Sequence, residues 1–97
     1  MNEKEEKKIL LNLQHVEVEQ DIDRLVKLDL SRVVGNLVHQ RAGDIGLDDK
    51  AREIYHKGEA EVSEFMLNQI KSIIDQSDLV LYVKTALTKH IEKSLTN

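Results

Sequence analysis

The chain is 97 residues long, carries a formal net charge of −4, and contains neither cysteine nor proline. That length allows a single domain over residues 1–97, and a chain without cysteine forms no disulfide bridge and no thiolate metal site. An acidic total disfavours broad binding to nucleic-acid phosphates, because Lys and Arg supply the affinity for them.

The first predicted helix runs over residues 3–41 and carries apolar residues on two faces. Leu11 and Val18 continue an apolar face that reaches residue 38, whereas Ile9, Leu13 and Val16 form a second stripe, at about 100° per residue. In residues 15–19, HVEVE, apolar and acidic residues alternate as they do in a strand. We favour a helix here, with a break within residues 15–21 as the alternative.

The second predicted helix spans residues 49–75, where apolar residues recur at spacings of three and four. Asp48 or Asp49 is expected to cap its start, after a loop that includes Gly43 as the left-handed residue closing the first helix. Gly58 falls on the apolar stripe, where glycine costs about 0.5–1 kcal/mol relative to alanine. We expect a tight helix crossing there, or else a hinge, and a similar close approach at Gly35.

The third predicted helix spans residues 78–95, with Ser77 as its N-cap and His90 as a hydrogen-bonded residue on its apolar stripe. Only two residues separate it from the second helix, which predicts a helical hairpin, with one kinked helix as the alternative. The predicted fold class is therefore all-α: a small bundle of three to four helices with a C-terminal helical hairpin. A second apolar face on the first helix suggests that dimerisation completes the bundle.

Glu53 and His56 have the Glu-x-x-His spacing by which carboxylate-bridged di-iron bundles hold metal. On a helical wheel these two side chains lie roughly 140–200° from the centre of the apolar stripe, whereas di-iron ligands must project inward. The acidic residues of the first half do not form a matching inward set. We therefore predict a solvated polar face, with no metal site and no cofactor.

Residues 42–47, AGDIGL, resemble the corner of a helix-turn-helix motif, in which residues 48–56 would begin the recognition helix. Arg41 occupies a position where that motif has an apolar residue, and the acidic start of the helix would be repelled by phosphates. The residues that could contact DNA are Lys50, Arg52 and Lys57. A dimeric DNA-binding transcriptional regulator is thus the alternative function.

The sequence contains no nucleophile with an obvious base and no glycine-rich phosphate loop after a strand. We therefore predict a non-enzymatic protein-interaction module, such as a regulator, adaptor, immunity-type protein or inhibitor, which binds another protein through apolar helix faces. The predicted contact residues are Ile9, Leu13, Val16, Glu17 and Glu19. A homodimer is also expected. The acidic N-terminus is unlike that of a signal peptide, and no apolar run approaches the roughly 18 residues of a membrane span, which favours the cytoplasm and no membrane partner.

Overall fold

A computed structural model describes residues 7–96 of the chain, so the predicted helix start at residue 3 lies outside the described residues. The elements follow in the order β1 (Lys8–Asn12), β2 (Val16–Asp21), β3 (Arg24–Leu28), α1 (Ser31–Arg41), α2 (Ile45–Lys57), β4 (Glu59–Ser63), α3 (Glu64–Asp75) and α4 (Leu81–Thr96). The predicted all-α fold is wrong, because two antiparallel two-stranded sheets, β1–β4 and β2–β3, accompany the helices. The chain has a mixed α and β architecture.

Strands β1 and β2 stand where the first predicted helix was expected to begin. Ile9 and Leu11 are buried in β1, and Val16 and Val18 are buried in β2. The residue between each pair, Leu10 or Glu17, is exposed. Successive side chains of a strand point to opposite faces, so alternate residues enter the core. Each apparent helical stripe therefore combines inward-facing residues of both strands, Ile9 with Val16 and Leu11 with Val18. The alternation in HVEVE was the correct local signal.

Strands β2 and β3 form a hairpin whose turn contains Ile22 and Asp23. Asp23 has a φ of 63°, a left-handed conformation that aspartate adopts more readily than most residues. The Glu19 carboxylate accepts a hydrogen bond of 2.7 Å from the Asp23 N–H. This bond satisfies a backbone donor in the turn and helps to fix the hairpin.

The predicted helix over residues 49–75 is divided at Gly58, where α2 ends and β4 begins. Gly58 has a φ of 84°, and its N–H donates to the Ile54 carbonyl over 2.9 Å, which is a left-handed helix C-cap. Strand β4 pairs with β1. At the end of β4, the Ser63 hydroxyl accepts a hydrogen bond from the Met66 N–H and caps α3. The prediction of a tight helix crossing at Gly58 is wrong, because the glycine terminates a helix.

Helices α1 and α2 pack closely at Gly35, as the sequence predicts. A Cβ atom at this position would lie 2.8 Å from the Tyr55 Cβ and 2.9 Å from the Ala51 carbonyl oxygen. Asp44 caps α2 by accepting from the Leu47 N–H over 2.8 Å. Gly43 is not left-handed, since positive φ values among the described residues occur only at Asp23 and Gly58, so the prediction for Gly43 is wrong.

One apolar core joins the elements, with side chains from every helix and from β1, β2 and β4, while β3 contributes partly buried residues at its edge. Helix α4 packs against α3, and the Lys71 ammonium lies 3.0 Å from the Glu92 carboxylate. Residues 76–80 connect the two helices, and the buried Ser77 hydroxyl donates to the Ile74 carbonyl over 2.6 Å. Within residues 7–96, no helix combines the length and apolar character needed to cross a membrane.

Candidate functional site

The structure separates the five predicted contact residues into two groups. Ile9, Leu13 and Val16 belong to the core, with exposed fractions of 6%, 0% and 0%. They therefore do not form an open apolar face: strand alternation turns Ile9 and Val16 inward, and Leu13 enters the core directly after the end of β1. Glu17 and Glu19 are exposed on the opposite face of β2, where they remain available to a partner.

The three basic residues of the DNA-binding alternative do not share one face of α2. Lys50 and Lys57 are seven residues apart and lie on the same side, whereas Arg52 lies about 200° from Lys50 around the helix. The Lys50 ammonium is 3.9 Å from the Glu53 carboxylate, and the Arg52 Nε is 3.0 Å from the Asp48 carboxylate. The positive charges of Lys50 and Arg52 are thus largely neutralised by acidic residues of the same helix.

Asp48 accepts hydrogen bonds from two cationic or polar neighbours on different helices. The bond from the His39 ring, followed by the bond from Arg52, holds the pKa of Asp48 below its ordinary value of 3.8. The carboxylate therefore links the end of α1 to the first turn of α2. The exposed hydrogen bond with His39 holds α1 and α2 together at the surface, and the bond from Arg52 lies within α2.

Glu53 and His56 have ordinary surface environments. Glu53 lies near Lys50, and the exposed His56 ring packs edge-on against Tyr55 with ring centroids 5.1 Å apart. In the described part of the chain, no three residues among His, Cys, Asp and Glu are grouped so that they could hold a metal ion.

A wide groove lies between one face of the β2–β3 hairpin and one face of α4, with a cavity volume of about 960 Å³. The hairpin wall follows directly from the strand alternation: with Val16 and Val18 turned inward, Glu17 and Glu19 face outward. Their cross-strand partners, Lys27 and Leu25, lie on the same face of the hairpin. The wall therefore combines two carboxylates, one ammonium group and one exposed leucine.

The second wall is a helical stripe that changes in character along α4. Its first turn presents Leu81 and Tyr82, and its later turns present Lys89 and Lys93. These residues recur at helical spacing, whereas Leu87 and Ile91 on the other side of α4 are buried in the core. No acidic residue of α4 lines the groove, so this wall is apolar at one end and basic at the other.

Three apolar side chains in the groove are left largely open to solvent. The exposed fractions are 62% for Leu25, 77% for Leu81 and 42% for Tyr82. Across residues 7–96, Lys27, Lys89 and Lys93 have no carboxylate within 4.0 Å. The groove can therefore bury an apolar side chain of a ligand while its lysines pair with carboxylates of that ligand.

His90 fixes the base of the groove. Its Nε2–H donates to the Asn12 carbonyl over 2.6 Å, which ties the middle of α4 to the end of β1. The predicted hydrogen-bonded histidine is thus confirmed, with its ring partly buried. Among the described residues of the two walls, no hydroxyl is hydrogen-bonded to a histidine ring.

Comparisons with known proteins give no indication of function, so the functional argument rests on the groove. The chain matches no family model, no curated protein and no solved structure. The helical pattern does not reveal the groove, because residues 17–27 fall within the first predicted helix instead of a hairpin. The VEVE alternation was the available signal, since it implies a strand with Glu17 and Glu19 on its outer face.

Proposed function

We propose that this protein is a non-enzymatic protein-interaction module, acting as a regulator, adaptor or inhibitor, and that the hairpin–α4 groove binds another polypeptide. The observation that carries the proposal is the open groove of about 960 Å³ in which Leu25, Leu81 and Tyr82 are solvent-exposed. Exposed apolar side chains grouped in a polar surround are typical of protein-binding sites. A cysteine-free chain suits a reducing compartment, and the cytoplasm is its proposed location.

The expected binding energy is concentrated in the apolar end of the groove. Full burial of a leucine side chain contributes about 1.5–3 kcal/mol, and Leu81 is 77% exposed, so most of this contribution is available to a partner. Tyr82 adds a rigid ring with a hydroxyl group, a combination that is enriched at interface hot spots. The lysines at the other end select a partner with carboxylates and disfavour a basic one.

A photo-crosslinking amino acid at position 82 tests the proposal in the cells that produce the protein. We expect a covalent adduct with a polypeptide, and we expect Leu81→Asp to abolish it. Ile45→Asp is the matched control, because Ile45 is 79% exposed and, like Leu81, is the first residue of its helix. An aspartate in the first helical turn suits the helix dipole at both positions, so the two variants differ mainly in location.

Four results of that experiment would contradict the proposal. One is the absence of any polypeptide adduct at position 82, and another is an adduct that Leu81→Asp leaves unchanged. The third is an adduct that nuclease removes, which would identify nucleic acid as the ligand. An adduct lost equally in the Ile45→Asp variant would also contradict a role for this groove in particular.

The DNA-binding alternative stays a prediction with its own test. It requires salt-sensitive binding to duplex DNA that is lost when Lys50, Arg52 and Lys57 are replaced by Ala. The division of these residues between two faces of α2, and the pairing of Arg52 with Asp48, favour the groove over this surface.

A further inference from the structure

We infer that the polypeptide in the groove is the hairpin turn of a second copy of this chain, exchanged reciprocally in a symmetric dimer. The inference rests on the proposed function, since it names the occupant of the same groove. The donated segment is residues 20–24, called here the hairpin tip. The accepting surface is the α4 wall, with Leu81 and Tyr82 at one end and Lys89 and Lys93 at the other.

The hairpin tip is exposed, and no contact within residues 7–96 covers it. Every residue from 19 to 25 is exposed, and Ile22 at the turn is 90% exposed, more than any other large apolar side chain described. Ile22 does not line its own groove, so it is free to enter another one. A two-stranded hairpin extending beyond the core gains little stability by itself, and docking would supply packing for it.

The tip and the α4 wall are complementary in both polarity and charge. The tip carries Asp21 and Asp23 on either side of the apolar Ile22, against the single cation Arg24. The α4 wall presents exposed apolar residues followed by two lysines without a nearby carboxylate in the described chain. The carboxylates of Glu17 and Glu19 lie on the opposite, hairpin wall of the groove, so the tip is placed against α4. Ile22 can pack on Leu81 or Tyr82 while the adjacent carboxylates face the ammonium groups. Such a local match permits association between two copies that each carry a net charge of −4.

The dimensions of the two surfaces are compatible. From Tyr82 to Lys93 the helix advances by about 16 Å, at 1.5 Å per residue. The paired strands of the tip are about 5 Å apart between backbones, so the tip fits across the stripe with its side chains. The α4 stripe is therefore long enough to accept the tip.

Two-fold symmetry makes the exchange reciprocal. The hairpin forms one wall of the groove and carries the tip at its end, so an axis beside the groove places each tip against the α4 wall of the other copy. The same contact then forms twice, which gives a closed dimer with no free site to propagate further assembly. A single substitution in the tip or in the wall consequently removes two contacts from each dimer.

Sedimentation equilibrium of the purified full-length chain over a broad concentration range tests the inference. We expect a monomer–dimer equilibrium in the wild type, and we expect Ile22→Asp to weaken it by about tenfold or more, the equivalent of about 1.4 kcal/mol. Ile45→Asp is the control at an equally exposed isoleucine outside the groove. It is expected to leave the equilibrium unchanged.

A charge exchange identifies the contacting segments. Asp21→Lys and Lys89→Glu should each weaken homodimerisation, whereas a mixture of the two variants should recover a heterodimer through one restored contact. That recovery also shows that both variants fold. A wild type that stays monomeric throughout, a dimer insensitive to Ile22→Asp, or a mixture that fails to associate overturns the inference.

The outcomes separate this inference from the proposed function. A monomeric wild type that still forms a Leu81-dependent crosslink to a different protein overturns the self-exchange and supports the groove as a binding site. If the wild type dimerises and neither Leu81→Asp nor Ile22→Asp weakens the dimer, the self-exchange is overturned. The crosslink at position 82 then decides the proposed function by itself.

Discussion

Replacing Gly58 with alanine tests the division of the second predicted helix. If residues 49–75 formed one helix, this change would stabilise the protein by about 0.5–1 kcal/mol. In the structure, Gly58 has a φ of 84°, and a residue with a side chain in that region costs of order 1–3 kcal/mol. The two arrangements therefore predict opposite signs for the change in the free energy of unfolding.

Steric contact adds to the cost of Gly58→Ala. The new Cβ would lie 2.4 Å from the Gln14 Cγ, 2.5 Å from its Cδ and 2.6 Å from its Nε2, so the Gln14 side chain must move. We expect Gly58→Ala to lower the free energy of unfolding by about 2–4 kcal/mol, the sum of the strain and a modest packing loss. In a Gln14→Ala background only the strain remains, and the loss should fall to about 1–3 kcal/mol.

Urea unfolding followed by far-ultraviolet circular dichroism measures these changes. Gly43→Ala is the matched control, because Gly43 has no positive φ and nothing lies within 4 Å of its added Cβ. This control should be neutral or should stabilise by up to about 1 kcal/mol, since alanine restricts the unfolded chain. A neutral or stabilising Gly58→Ala would refute the left-handed C-cap.

Three other predictions concern the core, the helix contact and pH. Leu13→Asp should abolish cooperative unfolding, because Leu13 is fully buried and a buried unpaired charge costs several kcal/mol; circular dichroism would detect the loss, and a folded variant would contradict the assigned core. Gly35→Ala should lower the free energy of unfolding by about 1–3 kcal/mol, since its Cβ would lie 2.9 Å from the Ala51 carbonyl oxygen. Urea unfolding measures this change, and an unchanged midpoint would disprove the close approach. The pKa of Asp48 is lowered by His39 and then Arg52, so its stabilising effect should be present above about pH 4 and lost as pH falls through the lowered pKa. Asp48→Asn should flatten that part of the stability–pH curve measured by thermal unfolding, and an unchanged curve would show that the contact does not form.

The sequence predicted the helices better than the strands, since it missed β4 within the predicted helix 49–75 as well as the three strands before residue 30. A helix at Ser31–Arg41 and the close approach at Gly35 follow from local pattern, and the structure contains both. In residues 8–21 the same apolar residues satisfy a helical and an alternating pattern over short windows, and burial against the rest of the chain decides between them. Pairing of β1 with β4 joins residues about 50 positions apart, which no local pattern specifies.

Local sequence patterns conceal both the division of the second predicted helix at Gly58 and the groove. Val62 falls on the predicted apolar stripe and is also buried in the strand that pairs with β1, so the stripe continues past the glycine without interruption, whereas Ala60, about 200° from Val62 on a helix, is buried only because residues 59–63 form a strand. Once the first half is read as helical, Glu17 and Leu25 have no common surface. The groove exists only after β2 and β3 pair, which places residues 17 and 27, and residues 19 and 25, side by side.

The distribution of charge on the hairpin argues for association through the groove rather than through a strand edge. A two-stranded sheet has backbone groups free to pair with another strand, and charged residues on an edge strand oppose such pairing. Strand β3 is short and carries Arg24 and Lys27, both exposed. Addition of a partner strand there would bring these charges beside its backbone and leave Leu81 and Tyr82 uncovered. In the proposed dimer, insertion of Ile22 into the groove covers those side chains and leaves the edge unpaired. Mutations of Leu81 should therefore reduce dimerisation.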